Sequence, residues 1–243
     1  PEMKSGTLYG IGVGPGDPEL ITVKGAAILS RCRRIFVPRA RSAAESLALA
    51  IAEQYVDGAA EITELFFPMT ADKEELSRRW GEAAEAVAAA LSTGEDACFL
   101  TLGDPLLYST YIYLLREIRA RMPDATVVTV PGVTSFSAAA ALSGFAVGEG
   151  RAPVTVVPAA DDMDGIRRAL ANGGTVVIMK VGARLPEILD LLEEAGVAEG
   201  AVFVSRAGLE GQRVVTDVRS LRGEGEEAGY LSVILVHAEG GRR

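Results

Sequence analysis

The sequence predicts an α/β fold in two domains, with a parallel amino-terminal sheet and a mixed carboxyl-terminal sheet. Three observations predict it. Short apolar runs alternate with helical patterns through the first 150 residues. Glycine and proline turns close several of those runs. Beyond residue 150 the strand patterns outnumber the helical ones.

The first half offers five strand candidates: TLYGIGV, RIFVP, ITELFF, ACFLTLG and TVVTVPG. Four helical stretches separate them, and strands so spaced pair in parallel through right-handed crossovers. The first helical stretch carries its own punctuation. Asp17 is placed to cap it and Pro18 to open it, with Leu20, Val23, Ala27 and Ile28 on one face. A small-residue helix, VTSFSAAAALSGF, follows the fifth strand. Five further strands come next: APVTVVP, TVVIMKV, AVFVSRAG, QRVVTDV and YLSVILVHA. Only DGIRRALANG and RLPEILDLLEEAG intervene as helices, so antiparallel pairs are expected. The stretch VGEGRAP marks the boundary, giving domains 1–147 and 148–243.

Composition narrows the function. The chain has 243 residues, 49% of them hydrophobic and 23% charged, which is ordinary globular composition. A formal net charge of −9 argues against nucleic acid as a partner. No apolar run approaches the length of a membrane span, and the first ten residues lack a secretory core. A soluble, cytoplasmic protein is expected. Cys32 and Cys98 form no CxxC pair, and His237 is the single histidine. Neither a protein-held metal nor a Cys/His or Ser/His/Asp catalytic group is expected. Arg31, Arg33, Arg34, Arg39 and Arg41 crowd one short stretch, either as a solvated surface or as a receptor for an anionic small molecule.

The stretch GIGVGPGDPELITVKG, residues 10–25, looks like a dinucleotide-binding turn but fails as one. Counted from Gly12, the glycines fall at 12, 14 and 16, position 17 is Asp, and Pro15 stiffens the loop. No acidic residue ends the next strand, which closes on Pro38 and Arg39. Ligands of an open parallel sheet collect at the strands' carboxyl ends. Here those ends read GPGD (14–17), PRAR (38–41), GDPLLYS (103–109) and PGVTS (131–135). Three are Gly/Pro turns that let the main chain approach a ligand closely.

VGPGDPELITVKGAAIL, TLGDPLLYSTYIYL, VPGVTSFSAAAA and VVIMKV together resemble the tetrapyrrole methylases, over essentially the whole chain and in the family's order. Within the family, FFPMT (66–70), GDPLLYSTYIYL and IMKV resemble the branch that methylates precorrin-2, or its cobalt-containing counterpart cobalt-factor II, at C20. The resemblance implies two α/β domains with a cleft between them and S-adenosylmethionine at their junction. It also implies a homodimer and a small-molecule tetrapyrrole substrate, with any metal arriving inside that substrate.

Carried over residue by residue, Pro15 belongs to the loop flanking the cofactor, and Gly103 and Asp104 to the loop holding its methionine moiety. Leu107 is an apolar cofactor contact, and Thr134 and Ser135 match the PGVTS positions. Met179, Ala207 and the segment Tyr230, Leu231, Ser232 match cofactor-side positions of the second domain. By periodicity alone, Leu107 and Met179 equally fit a core, and Thr134 and Ser135 equally fit a helix cap.

Tyr108, Tyr111 and Tyr113 cannot share one helical face, so one of them is expected in the core. Tyr108 and Ser109, nearest the GDP turn, are expected to face the substrate. Tyr111 and Tyr113 equally fit a dimer interface. Some family members carry an acidic residue after the second strand, credited with proton abstraction. Val37, Pro38 and Arg39 stand there instead, so no base is carried over, and Arg39 is expected to meet a substrate carboxylate. Two other readings share these features: a methylase of the same fold acting on another macrocycle position, ribosomal RNA or diphthamide, and a non-catalytic tetrapyrrole carrier. Acidic composition disfavours RNA, and small residues at Gly103, Thr134 and Ser135 favour an enzyme over a carrier.

Overall fold

The computed structural model describes residues 5–39, 46–68, 70, 72–159 and 162–239. The chain forms two compact units, residues 1–134 and 135–243, each built on a five-stranded sheet. All ten expected strands are present.

In the first unit the strands are β1 (Leu8–Gly12), β2 (Arg34–Arg39), β3 (Glu61–Phe66), β4 (Ala97–Thr101) and β5 (Val127–Val130). They lie in the order β3-β2-β4-β1-β5, and every pair is parallel. The helices between them are α1 (Val23–Leu29), α2 (Leu47–Ala52), α3 (Lys73–Ser92) and α4 (Tyr111–Arg121). Asp72 opens α3 by accepting from the N–H groups of Glu74 and Glu75 at 2.9 and 3.2 Å. Val87, Leu91, Phe99, Leu114 and Ile118 meet in the core that α3 and α4 close over the sheet.

Two helix starts differ from expectation. Asp17 caps only a 3₁₀ turn, Pro18–Leu20, and the α-helix begins at Val23. Thr22 captures the Gly25 N–H at 3.0 Å and resets the start. Gly25, Ile28 and Leu29 then form the buried face, leaving Val23 88% exposed. Helix α4 begins at Tyr111 rather than Tyr108, because Tyr108 takes a left-handed φ of +51° that a helix cannot continue.

The second unit contains α5 (Ser135–Ser143), β6 (Val154–Pro158), α6 (Met163–Ala171), β7 (Thr175–Met179) and α7 (Leu185–Glu194), followed by β8 (Val202–Ser205), β9 (Arg213–Val215) and β10 (Ser232–His237). Its order is β6-β7-β10-β8-β9. β6 pairs with β7 in parallel, and the other three pairings are antiparallel. Ile178, Ile188, Leu192, Phe203 and Ile234 lie at the heart of its core. Helix α5 packs against β8, β9 and β10, so this division of the chain falls before α5, whereas the sequence places the boundary after it, at 147–148.

Candidate functional site

The sheet order of the first unit creates a reversal at β4 and β1. The chain leaving β1 runs to β2 on one side, and the chain leaving β4 runs to β5 on the other. Ligands collect at the carboxyl ends of strands at such a point. The three Gly/Pro turns meet there. Gly14 and Gly103 bond both ways, Gly103 N–H to Gly14 O at 2.8 Å and Gly14 N–H to Gly103 O at 3.2 Å. Asp104 then links the second turn to the third. One carboxylate oxygen accepts from Leu106 N–H at 2.9 Å and the other from Gly132 N–H at 3.0 Å.

These turns approach so closely that side chains are excluded. A Cβ on Gly132 would lie 2.0 Å from the Gly103 carbonyl oxygen, and one on Gly12 would lie 2.6 Å from it. The site therefore has a backbone floor. Pro15 is buried beside it, Leu107 is half-buried, and Thr134 ends the third turn just before Ser135 opens α5. Pro15, Gly103, Asp104, Leu107 and Thr134 thus gather at one end of the first sheet.

The tyrosines separate into distinct roles. Tyr111 is wholly buried and lies over Gly10, where a Cβ would come within 2.2 Å of its ring. Its hydroxyl spans β1 to reach Thr129 Oγ1 on β5 at 2.9 Å. Burial pushes its phenol pKa up. Tyr111 is the expected core tyrosine, and full burial within its own unit removes it from any dimer interface. Tyr113 stacks on Trp80 of α3, ring centroids 4.2 Å apart. Tyr108 is 41% exposed, while Ser109 is only 7% exposed. The Ser109 hydroxyl lies 2.7 Å from Thr101 Oγ1 and accepts from Tyr111 N–H at 3.1 Å. It braces the turn and the start of α4 instead of facing outward beside Tyr108.

The arginine stretch does not act as one cluster. Arg34 opens β2 and pairs with Glu95 at 2.9 Å and with Glu61. Arg39 closes the same strand, about 17 Å away at the usual rise per residue, where it pairs with Glu64 of β3. Arg41 lies outside the described residues. Among the described arginines of this stretch, only Arg39 is at the carboxyl end. Glu64 is the carboxylate of this edge that the sequence reading missed: it comes from β3, and only the β2–β3 register brings it to Arg39.

In the second unit the expected residues also converge. β10 runs antiparallel to β7 and β8, so its start lies where those two strands finish, with Val233 opposite Met179 and Ser232 opposite Ser205. Met179, Ala207, Tyr230, Leu231 and Ser232 are therefore neighbours at one sheet end. Ser232 is held by a 2.7 Å bond from its hydroxyl to Gly229 O, while Tyr230 is 59% exposed. Three non-glycine residues at this end adopt left-handed φ: Lys180 (+54°), Arg206 (+53°) and Leu231 (+50°). Tyr108 is the only other such residue described. Strain of this kind concentrates at binding and catalytic sites.

Other candidates carry less. The groove between α3 and α4 is lined by Lys73, Arg78, Glu117 and Arg121, mixed charges that include none of the turn residues. Cys98 is fully buried in β4, and its hydrogen bond with Cys32, together with burial, pushes its thiol pKa up. It is held as a thiol rather than a nucleophile. Among the described residues no helix is long and apolar enough to cross a membrane.

A parallel α/β unit with backbone-lined turns at its strand ends, followed by a mixed α/β unit, defines a two-unit α/β protein suited to hold a ligand at its strand ends. Residues 7–221 match the family model for tetrapyrrole (corrin/porphyrin) methylases, and the chain belongs to that family. It is 36% identical to the cobalt-precorrin-2 C(20)-methyltransferase of Salmonella typhimurium, over 97% of this chain and 98% of that protein. It is 31% identical to the precorrin-2 C(20)-methyltransferase of a Sinorhizobium species, over 95% of each chain. The crystal structure of the cobalt-precorrin-4 methyltransferase CbiF, a cobalamin biosynthetic enzyme, shares the fold with a TM-score of 0.73 and 22% identity, covering 95% of this chain and 94% of that one.

Proposed function

We propose that this protein transfers a methyl group from S-adenosylmethionine to C20 of precorrin-2 or of its cobalt-containing counterpart, a step of cobalamin biosynthesis. The observation that carries the reading is near full-length similarity to C(20)-methyltransferases of both kinds. The backbone-floored turns fit the donor: Gly12 and Gly132 let the turns pack directly on one another, and Gly103, whose Cβ would meet nothing nearer than 4.0 Å, leaves main chain open for a ligand to lie against. A homodimer in the cytoplasm goes with this reading.

S-adenosylmethionine supplies a methyl group already activated on a sulfonium, so the chain's work is alignment and exclusion of water. We assign Gly103, Asp104 and Leu107 to the methionine portion of the donor, with Pro15, Thr134 and Ser135 beside it. Met179, Ala207, Tyr230, Leu231 and Ser232 are assigned to the adenine side. Asp104 acts by fixing two turns through its hydrogen bonds, which leaves the main chain to present the donor's contacts. The acceptor carbon of a reduced tetrapyrrole is electron-rich, so no strong base is needed for attack. The new C–C bond forms as the sulfur–methyl bond breaks, S-adenosylhomocysteine leaves with the electron pair on sulfur, and the C20 proton passes to solvent. Arg39 and Tyr108 are assigned to the acceptor, and Ser109 to the support of Tyr108.

The test is a mass spectrum of the tetrapyrrole after incubation with purified protein and S-adenosylmethionine. Precorrin-2 and cobalt-factor II are offered separately, each with a no-protein control. One added methyl in either acceptor supports the reading, and the preferred acceptor assigns the metal-free or cobalt-first route. Methylation of neither, with donor binding demonstrated, overturns the choice of acceptor.

A further inference from the structure

The end of the second sheet holds a guanidinium to which the reading above gives no task. Arg206 follows β8 with a φ of +53°, a conformation that glycine adopts freely and arginine does not. Its backbone N–H donates to the carbonyl of Leu231 at 2.9 Å, and Leu231 is itself left-handed. That bond joins two strained residues, and Arg206 lines a cavity of about 560 Å³. The Arg206 side chain is fixed as well. Its Nε donates to the Glu210 carbonyl at 2.7 Å, and Gly211 lies so close that a Cβ there would sit 3.4 Å from Nε.

The charges of this cavity single out Arg206. Arg213 and Glu224 also line it, and they satisfy each other through a two-bonded pair at 2.6 and 2.7 Å. Glu227 lines it too, and the exposed ring of Tyr230, assigned above to the adenine side of the donor, forms the edge where the cavity borders the donor's place. Among the described residues Arg206 has no carboxylate partner, and its Nε contact leaves the rest of the planar fork for a ligand. A pre-oriented guanidinium is the side chain best matched to a planar carboxylate.

Resting on the methyl-transfer reading, we infer that Arg206 is a carboxylate-docking residue, which takes a peripheral carboxylate of the tetrapyrrole and orients the macrocycle for transfer. The Nε bond to the Glu210 carbonyl holds the fork in place before the acceptor arrives, so less freedom is lost on binding. The donor also carries a carboxylate, on its methionine portion, and the test separates the two sources.

Acceptor and donor affinities are measured separately for the wild type, Arg206→Gly, Arg206→Lys and Glu227→Gln, with thermal unfolding followed in parallel. Arg206→Gly removes the guanidinium while relieving the left-handed strain, so its unfolding temperature is expected to stay or rise. It should weaken precorrin-2 binding about tenfold or more and leave S-adenosylmethionine affinity within about twofold. Arg206→Lys keeps the charge without the fork and should fall between the two. Glu227→Gln removes a like charge facing the acceptor and should tighten it. Unchanged acceptor affinity in Arg206→Gly overturns the inference, and so does a loss confined to the donor. A wild type that neither binds nor methylates either acceptor overturns the underlying reading instead, and the inference falls with it.

Discussion

The carboxylate of Asp104 accepts the backbone N–H of Gly132 at 3.0 Å, tying the turn after β4 to the turn after β5. Its other oxygen holds Leu106 N–H at 2.9 Å. One side chain thus sets the shape of two loops that family resemblance assigns to the donor. Asp104→Ala should cost about 2 kcal/mol of stability, as expected for two charge-assisted bonds, and should weaken S-adenosylmethionine binding about tenfold or more. Asp104→Asn keeps one carbonyl acceptor and should lie between. Urea unfolding and calorimetric titration of the donor check both effects.

Gly132 has no room for a side chain, since the atom it would strike is the backbone oxygen of Gly103. Gly132→Ala should therefore destabilise by more than about 3 kcal/mol or fail to accumulate as folded protein. Gly58 meets nothing within 4 Å, so Gly58→Ala should stay within about 0.5 kcal/mol of wild type. Unfolding temperatures of the two variants make the comparison.

Tyr111→Phe removes the bond to Thr129 while keeping the ring over Gly10. A loss of about 1 kcal/mol is expected. The pH dependence has a definite sign. The folded phenol titrates above its ordinary value because it is buried. Its contribution is complete below a pH of about 10, the ordinary tyrosine value. Above that pH the unfolded chain releases the proton and the folded chain keeps it, so stability falls as pH rises. Denaturant midpoints between neutral and strongly alkaline pH should decline less steeply in Tyr111→Phe.

Arg39 pairs with Glu64 at a partly exposed edge, an arrangement that contributes little to stability. Arg39→Ala should leave the unfolding temperature and donor affinity nearly unchanged and weaken tetrapyrrole binding several-fold. Equal tetrapyrrole affinity in the variant and the wild type removes Arg39 from the acceptor site.

The strands and the Gly/Pro turns were legible because their signals are local. Apolar alternation marks a strand, and GPGD, GDP and PGVTS are readable as turns wherever they fall. What stayed hidden depends on neighbours distant in sequence. Ser109 reads as a partner for Tyr108, and only its approach to Thr101 shows it as an internal brace. The β2–β3 register brings Glu64 to Arg39, and the length of β2 separates Arg34 from Arg39. The left-handed backbone of Tyr108, Lys180, Arg206 and Leu231 had no signal, because none of these residue types announces a positive φ. The early start expected of α1 failed for a local reason: Thr22 competes with Asp17 as a cap and wins the longer helix.

Methylation at C20 is tested most directly by the position of the transferred methyl. The protein is incubated with precorrin-2 or cobalt-factor II and S-adenosylmethionine labelled with carbon-13 at its methyl group, and the product is examined by NMR. One labelled methyl attached to the meso carbon C20 is expected. A label on another carbon of the macrocycle, or none in the tetrapyrrole, would contradict it.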